Sequence, residues 1–358
     1  MKKTFALLFI FLMSVALVAG CSSSTTKDLP EVTNPPVTVP PATETPAAET
    51  QEPVVEPAVP VDVNVLALKG PTAMGMVHFM NASEEGTVSD NNYQFSIVGA
   101  VDEVAPKLVQ KQVDIAAVPA NLASVLYNNT DGSVRVLAIN TLGVVYIVES
   151  GNTVENIQDL KGKTIYASGK GATPEYALNY ILAENRLTDH VKIEWKSEHT
   201  ECLAALTANA NAIAMLPQPF VTTAQMKADN IRIALDLTKE WDTLQAGSDK
   251  PSTLVTGVVI ARTEFVQENP QAVSAFLDHY KDSVGFVQNN TQDAANLIEK
   301  YDIIPAAVAA KALPYCNITF IEGSDMKDNL AGYLAVLFEQ NPKSVGGVLP
   351  ADEFYYSR

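Results

Sequence analysis

The amino-acid sequence predicts an α/β fold built on open, mostly parallel sheets. Between residues 63 and 261, short apolar runs alternate with helical patterns, which is typical of chains that form βα units. Several of these runs are apolar throughout, as expected for parallel strands that are covered on both faces. Five of the runs end in a glycine or proline that opens a helix.

The apolar runs predict ten strands. In chain order they are Val63–Leu68, Gln94–Val98, Val113–Val118, Val134–Asn140, Val144–Glu149, Thr164–Ala167, Val191–Trp195, Ala212–Leu216, Ile231–Leu235 and Thr256–Ala261. Helical patterns among them include Val104–Gln110, Thr173–Arg186, Thr200–Ala208 and Pro219–Ala228. After residue 261 the pattern is nearly all helical, over Pro270–Val287, Gln292–Tyr301, Pro305–Ala312 and Asp325–Gln340. We therefore expect the last helices to pack against an earlier part of the fold.

Residues 1–20 are predicted to be a lipoprotein signal peptide. Two lysines precede an apolar run of secretory length, which ends in VAGC at Cys21. Small residues before a cysteine resemble a bacterial lipobox, in which the cysteine receives a lipid such as palmitate and becomes the new N-terminus. The alternative is an uncleaved membrane anchor. Which membrane carries the anchor, and hence the Gram type of the cell, stays open.

Residues 21–60 are predicted to be the lipidated cysteine and a disordered linker. Nine of the 21 prolines lie in this segment and aromatic residues are absent from it, so it cannot bury enough apolar surface to fold. Proline-rich chains are extended and semi-rigid, which suits a spacer that holds a domain away from a membrane. No later apolar stretch is long enough to span a bilayer, so we expect membrane contact through the lipid only.

Charge and side-chain chemistry narrow the function. The net charge of −17 argues against nucleic acid as a partner, because nucleic-acid binding needs clustered lysine and arginine. The sequence contains no G-x-S-x-G motif and no cysteine or histidine pair at metal-ligand spacing, so we predict neither an enzyme nor a cofactor or metal. The four histidines are scattered, and each is expected to be structural. We expect Cys202 and Cys316 to be buried thiols, although their pairing stays open.

Five strand-to-helix corners predict a binding site. They are ALKGPTAMG, SIVGAVDEV, AAVPANLAS, IYASGKGATPEYAL and IAMLPQPFVT. In open α/β sheets, ligands bind beyond the carboxyl ends of the strands, where helix N-termini offer free N–H groups and a partial positive charge. Glycine at such a corner allows close approach of the backbone, and the N-terminus suits an anion or a polarised carbonyl. Glycine and proline also simply punctuate βα loops, but for the set of five we favour a site.

The loop ASGKGATPE is the richest of these corners. Thr173 is predicted to be the N-cap of a helix and Pro174 its first residue. The loop is not a phosphate-binding Walker motif, because Gly171 follows Lys170 where that motif needs serine or threonine. Lys170 either contacts an anionic ligand or is solvated, and both alternatives stay open. Of the methionines after the first corner, Met74 is the nearest to the expected site.

At this point the chain resembles a known family over residues 62 to 340. The resemblance is carried, in order, by LVQKQVDIAAVPA, VENIQDLKGKTIYASGKGATPEYALNYILAENRL, ANAIAMLPQPFVTTA and TGVVIARTEFVQENPQAVSAFLDHYKDSVGFV. These stretches resemble the solute-binding lipoproteins of ABC importers, and among them the sulfonate, nitrate and taurine type that includes binders of thiamine pyrimidine precursors. Gln112 departs from the family pattern, since glycine is usual there. The motifs together are specific for the fold and poorly specific for the ligand.

The resemblance implies a two-lobed, type II periplasmic-binding-protein-like fold with a helical C-terminal region. Lobe one would hold residues 61–143 and 256–358, and lobe two would hold residues 144–255. The chain would cross between them near Thr141–Gly143 and Leu254–Gly257. The resemblance further implies an extracytoplasmic, lipid-anchored, monomeric protein that binds a small molecule between the lobes and delivers it to an ABC permease. The alternatives are an enzyme related to pyrimidine-precursor synthases, although their cysteine-rich iron segment is missing here, and a ligand-sensing lipoprotein.

Corners and crossings together define the predicted ligand-binding residues. They are Gly70, Pro71, Thr72, Met74, Gly99, Ala120, Asn121, Gly143, Ser168, Gly169, Lys170, Gly171, Thr173, Pro217, Gln218 and Pro219. The helix N-termini and Lys170 slightly favour a neutral or anionic ligand, such as a sulfonate or a heterocyclic precursor. The identity of the ligand stays open.

Overall fold

The computed structural model describes residues 59–248 and 252–358, which lie in one compact unit. The predicted signal peptide, the lipidation site at Cys21 and the linker up to residue 58 lie outside the described residues. Within the described ranges, no helix is both long enough and apolar enough to cross a membrane.

Eleven strands form two sheets in the described part of the chain. The strands are β1 (Asp62–Leu68), β2 (Asn92–Val98), β3 (Ile115–Pro119), β4 (Val134–Leu142), β5 (Val145–Ser150), β6 (Thr164–Ala167), β7 (Lys192–Trp195), β8 (Ile213–Pro217), β9 (Ile231–Asp236), β10 (Val255–Arg262) and β11 (Ile318–Ile321). The six-stranded sheet has the order β11-β4-β10-β3-β1-β2, and the five-stranded sheet has the order β7-β6-β8-β5-β9.

Thirteen α-helices surround these sheets within the described ranges. They are α1 (Pro71–Met74), α2 (Val77–Glu84), α3 (Val104–Val109), α4 (Ala120–Asn129), α5 (Thr173–Glu184), α6 (His199–Ala208), α7 (Phe220–Lys227), α8 (Leu237–Gln245), α9 (Thr263–Glu268), α10 (Pro270–Asn289), α11 (Thr291–Lys300), α12 (Ala306–Ala312) and α13 (Gly323–Gln340). Short 3₁₀ turns lie at Val101–Glu103, Ile157–Leu160, Thr188–His190, Leu313–Tyr315, Pro342–Val345 and Asp352–Phe354.

The predicted α/β class is confirmed, and the pairing within the sheets is more mixed than the pattern indicated. Strands β1, β2 and β3 pair in parallel, as do β6, β7 and β8. In contrast, β10 pairs antiparallel with β3 and β4, β5 pairs antiparallel with β8 and β9, and β11 pairs antiparallel with β4. The chain leaves β4 and enters β5 at the edge where the parallel strands end, so β5 must run against its neighbours. Strand β10 also starts at the edge where the parallel strands end, so it too runs against its neighbours.

Each of the ten predicted strands coincides with an observed strand, with ends that differ by up to two residues. One strand was missed, because β11 interrupts the region that was predicted to be nearly all helical. The N-cap of α5 was also misplaced by one residue: Ala172 occupies the cap in an extended conformation, and Thr173 is the first helical residue.

The apolar core covers both faces of each sheet. Along β1, Val63, Val65 and Ala67 face one cluster, while Leu66 and Leu68 face another, as the two-residue period of a strand requires. The first cluster contains the buried face of α10, and the second contains residues of α4 and α13. Two further clusters cover the five-stranded sheet.

The two sheets are joined by a tight passage and by shared packing. Gly143 lies between β4 and β5, and a Cβ atom there would lie 2.0 Å from the hydroxyl oxygen of Thr238, so the passage needs glycine. Trp241 of α8 is fully buried, with its ring centroid 4.6 Å from that of Tyr180 in α5 and 5.6 Å from that of Tyr333 in α13. Helices α5 and α8, on the five-stranded side, therefore contact α13, which covers the six-stranded sheet.

The two cysteines of the described residues are buried and unpaired. Cys316 lies in the core of the six-stranded sheet, whereas Cys202 lies in a cluster of the five-stranded sheet. Burial raises the pKa of the Cys316 thiol to about 12. Both thiols are therefore core residues in this structure.

Candidate ligand-binding cleft

A cavity of about 230 Å³ lies between the two sheets, where their parallel strands end. We call it the cleft cavity. From the six-stranded side it is lined by Leu68, Lys69, Gly70, Pro71, Thr72, Val101, Pro119 and Thr256. From the five-stranded side it is lined by Val144, Val145, Gly169, Ala172, Thr173, Pro174, His199, Pro217, Gln218, Pro219 and Phe220. Strand-end corners from both sheets thus converge on one space, which is the expected place for a ligand in open α/β sheets.

Half of the predicted binding residues line this cavity. They are Gly70, Pro71, Thr72, Gly169, Thr173, Pro217, Gln218 and Pro219. They come from the corners that follow β1, β6 and β8, so three corners that are far apart in sequence lie together in space.

The other predicted residues do not line the cleft cavity. Met74 is fully buried in the core of the six-stranded sheet, because α1 turns it inward, and Ala120 faces the core on the other side of that sheet. Gly143 is buried in the passage between the sheets. Gly99 and Lys170 are exposed outside the cavity wall.

Asn121 and Gly171 line an adjoining cavity of about 240 Å³. This second cavity shares Val101, Pro119 and Ala172 with the cleft cavity, so the two spaces are neighbours. The side-chain amide of Asn121 donates a hydrogen bond to the carbonyl of Gly171 at 3.3 Å. That bond links a helix of the six-stranded side to a loop of the five-stranded side.

His199 is a cavity residue that the sequence analysis did not select. Its Nδ1 lies 2.5 Å from the hydroxyl oxygen of Ser168, a predicted residue that is itself buried beneath the histidine. Burial lowers the pKa of His199 to about 4, so the imidazole is neutral at pH 7. Among the described residues, no hydrogen bond engages its Nε2 atom. A ring nitrogen is therefore available in a half-buried position on the cavity wall.

His199 was missed because its corner contains neither glycine nor proline. It is the first residue of α6, directly beyond the end of β7, and so it occupies the same kind of position as the other corner residues. A search for every strand end, and not only for glycine and proline, would have included it. Phe220 was also passed over, although its ring lies 5.0 Å from that of His199.

The helix that follows β8 is capped from inside the cavity wall. The fully buried amide oxygen of Gln218 accepts a hydrogen bond from the backbone N–H of Thr222 at 3.3 Å and another from its hydroxyl at 2.9 Å. This is the role of an N-cap acceptor, supplied by a residue that precedes the helix. Gln218 therefore shapes this part of the wall through its contact with α7.

A larger cavity of about 470 Å³ lies elsewhere and is a weaker candidate. It is lined by the start of β4 and the end of β10, far from the carboxyl ends of the parallel strands. Its two basic residues are engaged in ion pairs: Lys111 and Arg262 both pair with Glu264, at 2.5 Å and 3.1 Å. Within the described residues, no group of histidine, cysteine or acidic side chains could hold a metal ion.

The chain has the α/β fold that the sequence predicted, with two mixed sheets, and solved proteins with the periplasmic-binding-protein fold share it. Residues 133–294 match the family model described as "NMT1/THI5 like". No curated protein sequence matches the chain.

Solved structures share this fold at low sequence identity. An ABC transporter protein from Parabacteroides distasonis is 22% identical, with a TM-score of 0.70, and the match covers 83% of this chain and 99% of the other. The periplasmic aliphatic sulphonate binding protein SsuA from Escherichia coli is 14% identical, with a TM-score of 0.64 over 84% and 93% of the two chains. The alkanesulfonate-binding protein SsuA from Xanthomonas axonopodis pv. citri, bound to MOPS, is 13% identical, with a TM-score of 0.61 over 82% and 96%. The predicted resemblance to solute-binding proteins of ABC importers is confirmed.

Proposed function

We propose that this protein is an extracytoplasmic, lipid-anchored solute-binding protein that captures a small molecule in the cleft cavity and delivers it to an ABC importer. The observation that carries the proposal is the convergence of strand-end corners from both sheets on one cavity. The shared fold of transporter binding proteins supports it.

In this proposal the two lobes are residues 61–143 with 256–358, and residues 144–255. A ligand that contacts both walls is held better than one that contacts either wall alone. Closure is then favoured by contacts that exist only in the closed form, because a ligand shifts a conformational equilibrium by its differential affinity for the two states. The short passage at Gly143 and the segment before β10 would absorb the rotation as hinges.

We propose capture of the ligand without turnover. Ser168 and Cys202 are the hydroxyl and thiol groups next to His199 that could act as nucleophiles. Both are buried, and burial raises the pKa of the Cys202 thiol, which keeps it in its unreactive form. Because its pKa is lowered by burial, His199 is a weak base. These groups suit a rigid wall better than a reactive centre.

Two glycines provide a matched test of the cavity. Gly169 and Gly171 have similar positive φ angles of +83° and +79°, so an alanine at either position carries the same kind of backbone strain. A Cβ atom at Gly169 would also lie 3.0 Å from the ring of Pro174, a residue of the cavity wall, whereas one at Gly171 would meet no atom within 4 Å. Gly169 lines the cleft cavity and Gly171 does not. We expect Gly169→Ala to lose a small molecule that co-purifies with the wild-type protein, and Gly171→Ala to retain it. Native mass spectrometry of protein purified without refolding makes the measurement.

Equal retention by both variants would show that the molecule binds elsewhere, and consumption of the molecule at catalytic protein concentration would replace capture with catalysis. Thermal unfolding of both variants without ligand is the control for strain. The melting temperature of the wild type should rise with ligand, because the ligand binds the folded state.

Membrane attachment is a separate part of the proposal. It is motivated by the lipobox-like VAGC sequence and the proline-rich segment after it. We expect Cys21→Ser to leave the folded part intact, by circular dichroism, and to release it from the membrane fraction. Retention of the variant on membranes after a carbonate wash would contradict lipid anchoring.

The last part of the proposed function is that the protein delivers its ligand to a permease, and not to a receptor that senses the ligand. We expect genes for a permease and an ATPase beside the gene for this protein, and ligand uptake that is lost when that permease gene is deleted. Normal uptake after the deletion would favour a sensing role.

A further inference from the structure

We propose that the cleft cavity selects an uncharged, largely apolar ligand and disfavours sulfonates and carboxylates. This inference rests on the proposed function, since it concerns the ligand of the same cavity. The sequence predicted a neutral or an anionic ligand, and this inference keeps only the neutral ligand.

The cavity offers no unpaired cation to an anionic ligand. Among its described lining residues, Lys69 is the only lysine or arginine, and its ammonium group pairs with Asp302 at 3.3 Å on the protein surface. His199 is neutral at pH 7, because burial lowers its pKa to about 4. A sulfonate buried here would lose its hydration without gaining a charged partner, which is costly in a half-buried site.

On the five-stranded side, N–H groups in the loops just before α5 and α6 donate to acceptors of the chain itself. Before α5, the N–H of Gly171 donates to the carboxylate of Glu175 at 2.6 Å. Before α6, the N–H of Ser197 donates to the carboxylate of Glu201 at 2.8 Å. The start of α7 is capped by Gln218. These two carboxylates lie outside the lining of the cleft cavity, so they place negative charge near the starts of α5 and α6 and disfavour an anion there.

Prolines remove further donors from the cavity wall. Pro71 is the first residue of α1, Pro119 occupies the N-cap of α4, and Pro219 occupies the N-cap of α7. Proline has no backbone N–H, so these positions present ring carbons where another residue would present a donor. Pro174 and Pro217 also line the cavity, which makes its surface largely apolar.

These features describe the ligand. Its apolar body would lie against Pro217, Pro219 and Phe220, which line one side of the cavity. One polar atom of the ligand would form a hydrogen bond with Nε2 of His199, whose other ring nitrogen is held by Ser168. An apolar cavity of about 150 Å³ can hold benzene, so 230 Å³ suits a compact molecule built on one ring.

The test compares probes that share a shape and differ in charge. A panel of one-ring compounds is prepared with each ring as the uncharged amide or sulfonamide, as the carboxylate or sulfonate, and as the aminomethyl derivative, which is a cation at pH 7. Benzenesulfonamide and benzenesulfonate are one such pair. Binding is measured by ligand-observed NMR and titration calorimetry at pH 7. A compound is assigned to the cleft cavity when Gly169→Ala removes its binding and Gly171→Ala preserves it.

We expect the cleft-bound compounds to be uncharged, and each to bind at least tenfold more tightly than the anion or cation of the same ring. His199→Phe should weaken their binding by about tenfold, and His199→Gln should restore part of it, because glutamine can again supply a polar atom. Anions that bind as tightly as their neutral partners, or cations that bind more tightly, would overturn this inference and leave the proposed capture function standing. If no compound of the panel binds in the cleft cavity, both proposals are contradicted.

Discussion

The two walls of the cleft cavity differ in how they are built. On the six-stranded side the hydroxyl of Thr72 donates to the carbonyl of Leu68 at 2.7 Å, and Lys69 pairs with Asp302, so both polar groups already have partners within the protein. On the five-stranded side, His199 keeps a free ring nitrogen. The six-stranded wall therefore offers the ligand mainly a complementary surface, and the five-stranded wall adds a polar atom to such a surface.

This difference suggests a division of roles. The six-stranded wall would exclude water from the body of the ligand, and the five-stranded wall would orient it through a hydrogen bond. Ligand pockets commonly combine a mostly apolar lining with a few well-placed polar groups. The four predictions below test whether the walls depend on each other, starting with the largest expected effect.

Trp241 is expected to stabilise the packing between the helices of the two sheets, and its loss should have the largest effect on stability. Its ring packs between Tyr180 and Tyr333, and its indole N–H donates to the carbonyl of Ser252 at 3.2 Å. Trp241→Ala should lower the free energy of unfolding by about 3–5 kcal/mol, measured by urea denaturation, because it leaves a large cavity. Trp241→Phe is the control that keeps most of the ring, and it should be clearly less destabilised. A loss below about 1 kcal/mol in the alanine variant would show that the contact is dispensable.

The pH dependence of stability should report on the polar wall. The pKa of His199 is lowered to about 4 from 6.5, chiefly by burial, while the charge of Glu198 opposes the shift. Between these two pH values the unfolded chain binds one more proton at this residue than the folded chain. The contribution of His199 is therefore fully present above pH 6.5 and is lost as the pH falls towards 4, by at most about 3 kcal/mol.

Urea denaturation at several pH values measures this loss, and His199→Gln is the matched variant. Its stability should fall less than that of the wild type between pH 6.5 and 4. Identical pH profiles for the two proteins would contradict burial of a neutral imidazole.

Gln218 should have an intermediate effect, because it supports one wall without an alternative acceptor nearby. Gln218→Ala leaves the N–H and hydroxyl of Thr222 without their common partner, which should lower the free energy of unfolding by about 1–3 kcal/mol. The exposed Gln158 offers a control, since Gln158→Ala should change stability by less than about 0.5 kcal/mol. Thermal denaturation of both variants would decide, and equal melting temperatures would remove Gln218 as a structural support.

Lys69 should matter least, although it lines the cavity. Its pair with Asp302 is exposed, and exposed pairs contribute less than about 1 kcal/mol. Lys69→Ala should leave the affinity for an uncharged probe within about twofold, and Lys170→Ala is the control outside the cavity wall. A tenfold loss in the Lys69 variant alone would indicate that this ammonium group contacts the ligand and that the walls are less different than we infer.

The sequence by itself determined the local features of this protein. Alternating apolar and helical patterns located ten strands, because strands buried in a sheet are built mainly from apolar residues. Glycine and proline located the corners, because few other residues tolerate such turns, and half of the binding residues predicted from corners and crossings line the cleft cavity. The net charge argued against nucleic acid as a partner, and the lack of catalytic and metal-binding motifs favoured a binding function over catalysis.

Only the tertiary structure decided which corners face each other. The order of strands in a sheet depends on contacts between distant segments, so the reversed direction of β5 and β10 and the late strand β11 could not be read from local patterns. The same contacts placed Met74 in the core and brought His199 to the cavity wall. A residue type predicts what a side chain can do, but burial and neighbours decide which ligand it meets. The carboxylates that accept hydrogen bonds just before α5 and α6 are an example, because they are among the contacts that led us to propose an uncharged ligand where helix N-termini alone would suit an anion.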